Sequence, residues 1–190
     1  MSSAIETEIK FRVGSVRSLT SKLRAAGFHV MTPRTHETNT LYDLPGQPLR
    51  NRGALLRVRK YGKRWIVTFK GRARLGRYKS RPEIETAVAD GKSLRAILEC
   101  AGFVAAFHYE KFRSEWSDGR GHVLIDETPI GNFCELEGPG DWIDGVARRL
   151  EVVPNQYITD SYAVLFLKWK RQTRSKVRDM CFADVRSGRK

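Results

Sequence analysis

The chain is poor in the residues that build small metal or redox modules. Its three cysteines, Cys100, Cys134 and Cys181, form no paired spacing, and its four histidines, His29, His36, His108 and His122, are scattered. A His/Cys zinc site is therefore not expected, and an odd number of free thiols suits a reducing cytoplasm. No apolar run approaches the roughly 20 residues of a membrane span. The first segment is already charged, so no secretory leader is expected either. Acidic residues are in deficit: 21 Asp and Glu stand against 35 Lys and Arg, a formal net charge of +14. Residues 168–190 carry nine of the basic residues against Asp179 and Asp184, a net +7 and half of the excess. Lacking apolar periodicity after Trp169, residues 171–190 are expected to be a frayed basic tail, dispensable for turnover of a small substrate.

What is present is globular. Of 190 residues, 41% are hydrophobic and 29% charged, enough for one domain with a real core. The charges are ordered. In Ile5-Glu6-Thr7-Glu8-Ile9-Lys10-Phe11 the charged residues take every second position, which in a strand places them on one face and the apolar residues on the other. The same alternation runs through Leu56-Arg57-Val58-Arg59, Trp65 to Lys70, Glu83-Ile84-Glu85, Lys111-Phe112-Arg113 and Cys134-Glu135-Leu136-Glu137, with Asp126 closing Val123-Leu124-Ile125. A half-buried sheet of the ordinary kind mixes polar types on its wet side. Here each strand carries like-charged doublets, which cross-strand ion pairing alone does not explain.

Helices punctuate the strands. Ser15 can cap one bearing Val16, Leu19 and Leu23, stopped at Gly27, and Asp90 or Ser93 can open another bearing Leu94, Ile97, Leu98 and Ala101, stopped at Gly102. Each follows an acidic doublet and precedes a basic one, which suggests two related halves. Further helices are expected over Trp142–Leu150 and from about Asp160 to Lys170, the latter with Tyr162, Leu165, Phe166 and Trp169 as its apolar stripe. Segment 29–54, with Pro33, Pro45 and Pro48, is expected to be irregular apart from a short strand at 40–42, and 71–82 to be a mobile basic loop.

With apolar outer faces and helices to cover them, the charged faces are expected to surround one cavity. The fold class is α+β, mainly β: a closed or nearly closed eight-stranded antiparallel barrel with helices packed outside. Six cations, Lys10, Arg57, Arg59, Lys70, Lys111 and Arg113, suit a polyanion with several phosphoryl groups. Seven carboxylates, Glu6, Glu8, Glu83, Glu85, Asp126, Glu135 and Glu137, would repel it unless hard divalent ions, Mg²⁺ or Mn²⁺, bridge acid to phosphate. The ordered basic residues point inward, so a nucleic-acid partner is not expected.

These residues resemble a known family. The Glu6-x-Glu8-x-Lys10 opening is similar to the signature of the CYTH superfamily, the triphosphate tunnel metalloenzymes. The likeness continues through Thr40-Leu41-Tyr42-Asp43, Leu49-Arg50-x-Arg52-Gly53-x-x-Leu56-Arg57-x-Arg59, Thr68-x-Lys70, Arg81-x-Glu83-x-Glu85, Glu110-Lys111-x-Arg113, Asp126 and Glu135-x-Glu137, about residues 4–168 within an expected domain of 1–170. The resemblance implies an eight-stranded tunnel that binds triphosphate compounds with Mg²⁺ or Mn²⁺. It places Glu6, Glu8 and Glu137 as metal ligands, with Glu135, Asp126, Glu83 and Glu85 as further ligands or orienters. It makes Lys10, Arg57, Arg59, Lys70, Lys111 and Arg113 the phosphate grips, and sets Tyr42 either beside Lys10 as a water-positioning pair or in the barrel wall. Members include thiamine, inorganic and RNA triphosphatases and class IV adenylyl cyclases. The implied activity here is a metal-dependent triphosphatase of inorganic, nucleoside or thiamine triphosphate, with adenylyl cyclase as the alternative and a non-enzymatic polyphosphate or nucleotide sensor as a third reading. A cytoplasmic monomer or homodimer is expected.

Overall fold

The computed structural model describes residues 4–187. Its strands are β1 (Ala4–Val13), β2 (His29–Asp43), β3 (Leu55–Tyr61), β4 (Arg64–Lys70), β5 (Arg74–Leu75), β6 (Lys79–Val88), β7 (Val104–Ser117), β8 (His122–Thr128) and β9 (Gly131–Glu137). Its helices are α1 (Val16–Ala25), α2 (Pro48–Asn51), α3 (Gly91–Cys100), α4 (Gly140–Arg149), α5 (Tyr162–Thr173) and α6 (Phe182–Ser187). The strand order is β1-β9-β8-β7-β2-β3-β4-β6, every pairing is antiparallel, and β6 pairs back to β1. Eight strands thus close the barrel, and the short β5 lies against β6 outside the ring.

The two halves are legible in this order. β1 and β6 occupy equivalent places in half-barrels β1-β9-β8-β7 and β6-β4-β3-β2, and each leads into a helix, α1 or α3. Both helices are capped by the residue expected to open them, Ser15 or Asp90, and both end on a left-handed glycine, Gly27 at φ +85° and Gly102 at φ +89°. The basic doublets are not equivalent, however: Arg57 and Arg59 lie on β3, whereas Lys111 and Arg113 lie on β7.

Packing differs between the halves. On the β1-β9-β8 side, Ile9, Phe11, Val123, Ile125, Cys134 and Leu136 are buried under Leu19 and Leu23 of α1 and Trp142, Ile143 and Val146 of α4. On the other side α3 lies shallowly. Gly91 is the helix's one buried residue, and Ile97, expected on its apolar face, is 63% exposed. The close approach at Gly91 has a plain cause: a Cβ there would sit 2.1 Å from the Trp65 ring.

Three expectations are corrected. Segment 29–54 is not irregular over its first part, because β2 runs unbroken for 15 residues and pairs with both β3 and β7, absorbing Pro33 in register shifts between Val30 and Thr35, while residues 44–54 are turns flanking the short α2. Residues 79–82 are not loop, since Lys79 begins β6 and pairs with Glu8. The C-terminal stretch is not frayed: Met180 and Val185 are buried with Tyr109 and Phe166, and Met180 bonds the β7 backbone on both sides, at His108 and Glu110. Residues 188–190 of that expected tail lie outside the described residues.

Candidate active site

Strand alternation directs one side chain in two into a cavity of about 1030 Å³ enclosed by the barrel. Lys10, Arg57, Arg59, Lys70, Lys111, Arg113, Glu6, Glu8, Glu83, Glu85, Glu135 and Glu137 all line it. Asp126 sits just behind, wholly buried. The interior is a lattice of ion pairs around a cavity, so cross-strand neutralisation and a wet interior coexist.

One corner is acidic. Glu6, Glu8 and Glu137 each present a carboxylate oxygen, and the three lie within 4.8 Å of one another. Glu6 is held by Lys70 at 2.8 Å and Arg81 at 3.3 Å, and Glu8 by Lys79 at 2.5 Å. Glu137 has no ion pair or side-chain hydrogen bond among the described residues; burial, then Glu135, Glu6 and Glu8, push its carboxyl up to about 8 despite Arg113. An all-oxygen donor set of three converging carboxylates fits a hard divalent cation such as Mg²⁺ or Mn²⁺. Glu135 and Asp126, expected as further ligands or orienters, stand outside that corner.

The wall beyond that corner carries the cations. Asp126 accepts both Arg113 Nε and Nη2 at 2.6 Å, Lys111 Nζ at 2.8 Å and the Tyr162 hydroxyl at 2.6 Å. With its oxygens engaged and none exposed, it orients cations. Glu135 joins Lys10 at 3.0 Å to Arg113 at 2.5 Å. Burial alone would raise the Glu135 carboxyl, but Lys10, Arg113 and Lys111 hold it well below the usual range. Glu85 faces Arg59 at 3.0 Å and Arg57 at 3.6 Å, while Glu83 faces Lys70 at 2.9 Å. Arg57 Nη2 also donates to the Thr68 hydroxyl at 3.1 Å.

Tyr42 does not lie beside Lys10. The β2 residues facing inward are Glu37, Asn39 and Leu41, so Tyr42 points outward, where its hydroxyl donates to Glu99 at 3.2 Å and accepts from Arg95 at 3.1 Å. The aromatic beside Lys10 is Tyr162, at the start of α5, with its ring 4.3 Å from Lys10 Nζ and 4.8 Å from Lys111 Nζ. Lys10 Nζ also donates to the Asp160 carbonyl at 3.2 Å. Tyr162, Lys79, Arg81 and Glu37 are charged or polar contributors that the sequence reading did not assign to the site. For Lys79 and Arg81 the signal was present, since the alternation through Glu85 and Glu83 extends back to both.

Comparison with known proteins agrees with this architecture. A candidate adenylate cyclase of Methanocaldococcus jannaschii is 27% identical over 134 residues, covering 70% of this chain and 76% of that protein. A Vibrio parahaemolyticus structure, also described as a candidate adenylate cyclase, superposes with a TM-score of 0.77 at 20% identity and covers 87% of this chain and 99% of its own. A Hippeastrum structure, described as a candidate adenylyl cyclase with a dominant triphosphatase activity, gives 0.63 at 19% identity, covering 86% and 96%. For these two structures the likeness is one of fold. No helix among the described residues is long and apolar enough to cross a membrane. The family model for the CYTH domain matches residues 4–150, and the chain belongs to that family.

Proposed function

We propose that the protein is a metal-dependent phosphohydrolase acting on a triphosphate compound held inside the barrel. The observation that carries this reading is the juxtaposition, in one cavity, of three carboxylates within 4.8 Å of one another and a wall of arginines and lysines. Glu6, Glu8 and Glu137 would hold the divalent ion, which supplies Lewis acidity and charge neutralisation at phosphoryl oxygens. Arg57 and Arg59 present guanidinium edges to phosphate oxygens in place of Glu85, whose side chain is 37% exposed and can yield. Lys10 and Arg113, fixed by Glu135 and Asp126, take the charge that develops as a water oxygen bonds to the terminal phosphorus, the bridging P–O bond breaks with its electron pair leaving on the diphosphate end, and the water's proton passes to solvent in the cavity. Tyr162 sets where Lys10 and Lys111 point. The Hippeastrum neighbour, with its dominant triphosphatase activity, supports this choice.

A second reading, cyclisation of ATP to cyclic AMP and diphosphate, draws on the apolar part of the lining. Leu41, Leu55, Ile66 and Leu124 border the cavity, leaving room for an organic group beside the phosphates. The relatives described as candidate cyclases point the same way.

The deciding experiment is ³¹P NMR of products from ATP and from inorganic triphosphate with Mg²⁺ or Mn²⁺, run beside Glu8→Gln. Phosphate release, abolished in the variant, is the expected result. Cyclic AMP with diphosphate would establish the cyclase instead. Turnover in Glu8→Gln equal to the unmodified chain would refute the ligand assignment.

A further inference from the structure

Glu37 is a buried acid to which the mechanism above gives no part. It projects inward from β2, opposite Tyr61 on β3 and Lys111 on β7, and is entirely buried. Its Oε1 accepts from Asn39 Nδ2 at 2.9 Å, while its Oε2 receives no hydrogen bond among the described residues. Its cationic neighbours stand farther off, Lys111 at 3.6 Å and Arg59 at 3.8 Å. Burial alone would push this carboxyl up, yet Lys111, Arg113, Arg59 and Arg57 together bring it down to about 2, so it stays ionised.

Those distances separate Glu37 from the acids that orient the wall. Asp126 grips Arg113 and Lys111 at 2.6 and 2.8 Å, within charge-assisted hydrogen-bond range. Glu37 reaches the same wall only through its charge. It also differs from Glu85, the other acid facing Arg57 and Arg59, whose side chain is 37% exposed and can make way for a phosphate. Glu37, sealed behind the wall, cannot.

We propose that Glu37 is a fixed counter-charge behind the cationic wall that weakens its hold on phosphate, so that the cleaved product leaves. The inference rests on the phosphate-binding reading and adds an affinity-setting residue that touches no substrate. A unit charge a few ångströms from the binding cations, at an effective dielectric of about 20, changes anion affinity by about tenfold or more.

The test is calorimetric titration of inorganic triphosphate and of inorganic phosphate into the full chain in metal-free, EDTA-containing buffer. Glu37→Gln is expected to bind both about tenfold more tightly, and to turn over more slowly with lower KM once metal is restored. Glu37→Asp, which keeps the charge, should return affinity toward that of the unmodified chain. Asn39→Ala removes the hydrogen bond that aims Glu37 but not its charge, and should alter affinity by less than about twofold. Weaker or unchanged binding in Glu37→Gln overturns the proposal, because a purely structural role predicts loss. Should Glu37→Gln fail to fold, a tenfold loss in Asn39→Ala overturns it as well, by showing that geometry rather than charge matters. If the unmodified chain binds neither anion, the phosphate reading itself fails and takes this inference with it.

Discussion

The Lys10 ammonium has Glu135 at 3.0 Å, the Asp160 carbonyl at 3.2 Å and the Tyr162 ring at 4.3 Å. Burial lowers its affinity for a proton, but Glu135 and Glu8 outweigh that and raise its pKa, so it remains a cation. Tyr162 is thus the aromatic that shapes Lys10, and Tyr42 serves the packing beneath α3. Tyr162→Phe keeps the ring and loses the 2.6 Å bond to Asp126. It should slow turnover severalfold and cost about 1–2 kcal/mol of stability. Tyr42→Phe should lower stability and leave turnover intact. Steady-state rates and thermal melts of both variants check this, and equal slowing in the two would contradict the placement. Of the two places read for Tyr42, the barrel wall is the one it takes, and the sequence left the choice open for a physical reason. Inward and outward positions differ by one residue on a strand, and the phase of β2 could not be set while Pro33 and Pro45 masked its length. Tyr162 was hidden differently: it lies on a helix stripe, where a two-residue period says nothing, and only tertiary docking turns it into the barrel.

Among elements, those with local signals were the legible ones. Ser15, Asp90, Gly27 and Gly102 mark the ends of α1 and α3 by chemistry that acts within a few residues. The acidic and basic strands announced themselves by period. The C-terminal segment carried no such mark, because its anchoring is entirely long-range. The Asp179 carboxylate accepts from the His108 amide at 2.9 Å, and Glu110 accepts from the Phe182 amide at the start of α6 at 2.6 Å and pairs with His36 at 2.8 Å. Removing residues 172–190 strips Met180 and Val185 from the cluster around Tyr109 and Phe166. Burial of two such side chains contributes about 1.5–3 kcal/mol each. A protein of this size changes its Tm by about 2–4 °C per kcal/mol, so the truncated chain should melt roughly 10 °C lower. Tyr109 faces the cavity, so triphosphate affinity should fall too, contrary to the dispensable tail read from the sequence. An unchanged melting curve would show that the segment only rests on the barrel.

At the scale of the whole molecule, the half-barrels match in layout, share acidic doublets on β1 and β6, and oppose each other in charge on the remaining strands. Where β7 carries Lys111 and Arg113, its counterpart β2 carries Glu37 and Asn39 inward; where β3 carries Arg57 and Arg59, its counterpart β8 carries Asp126. Acid from one half therefore meets base from the other across β2–β7, and β1 meets β6 at the closing seam, where Glu6 pairs with Arg81 and Glu8 with Lys79. The sequence showed the doublets, and the two-fold arrangement of strands is what turns them into a lattice. Buried pairs of this kind are costly to break and much less costly to remove together. Lys10→Met and Glu135→Gln should together destabilise less than the sum of their single losses, with a coupling of about 2 kcal/mol by urea denaturation. Additive losses would mean that the pairs act independently of one another.

The same interlocking bears on descent. A lineage drifting toward a different occupant for its tunnel cannot readily exchange one interior charge at a time, because each single step takes the counter-ion from a partner that is mostly buried. Change must come in compensating couples or pass through folds too weak to persist. The shallowly covered α3 face is free of that constraint and can diverge residue by residue while the interior stands still.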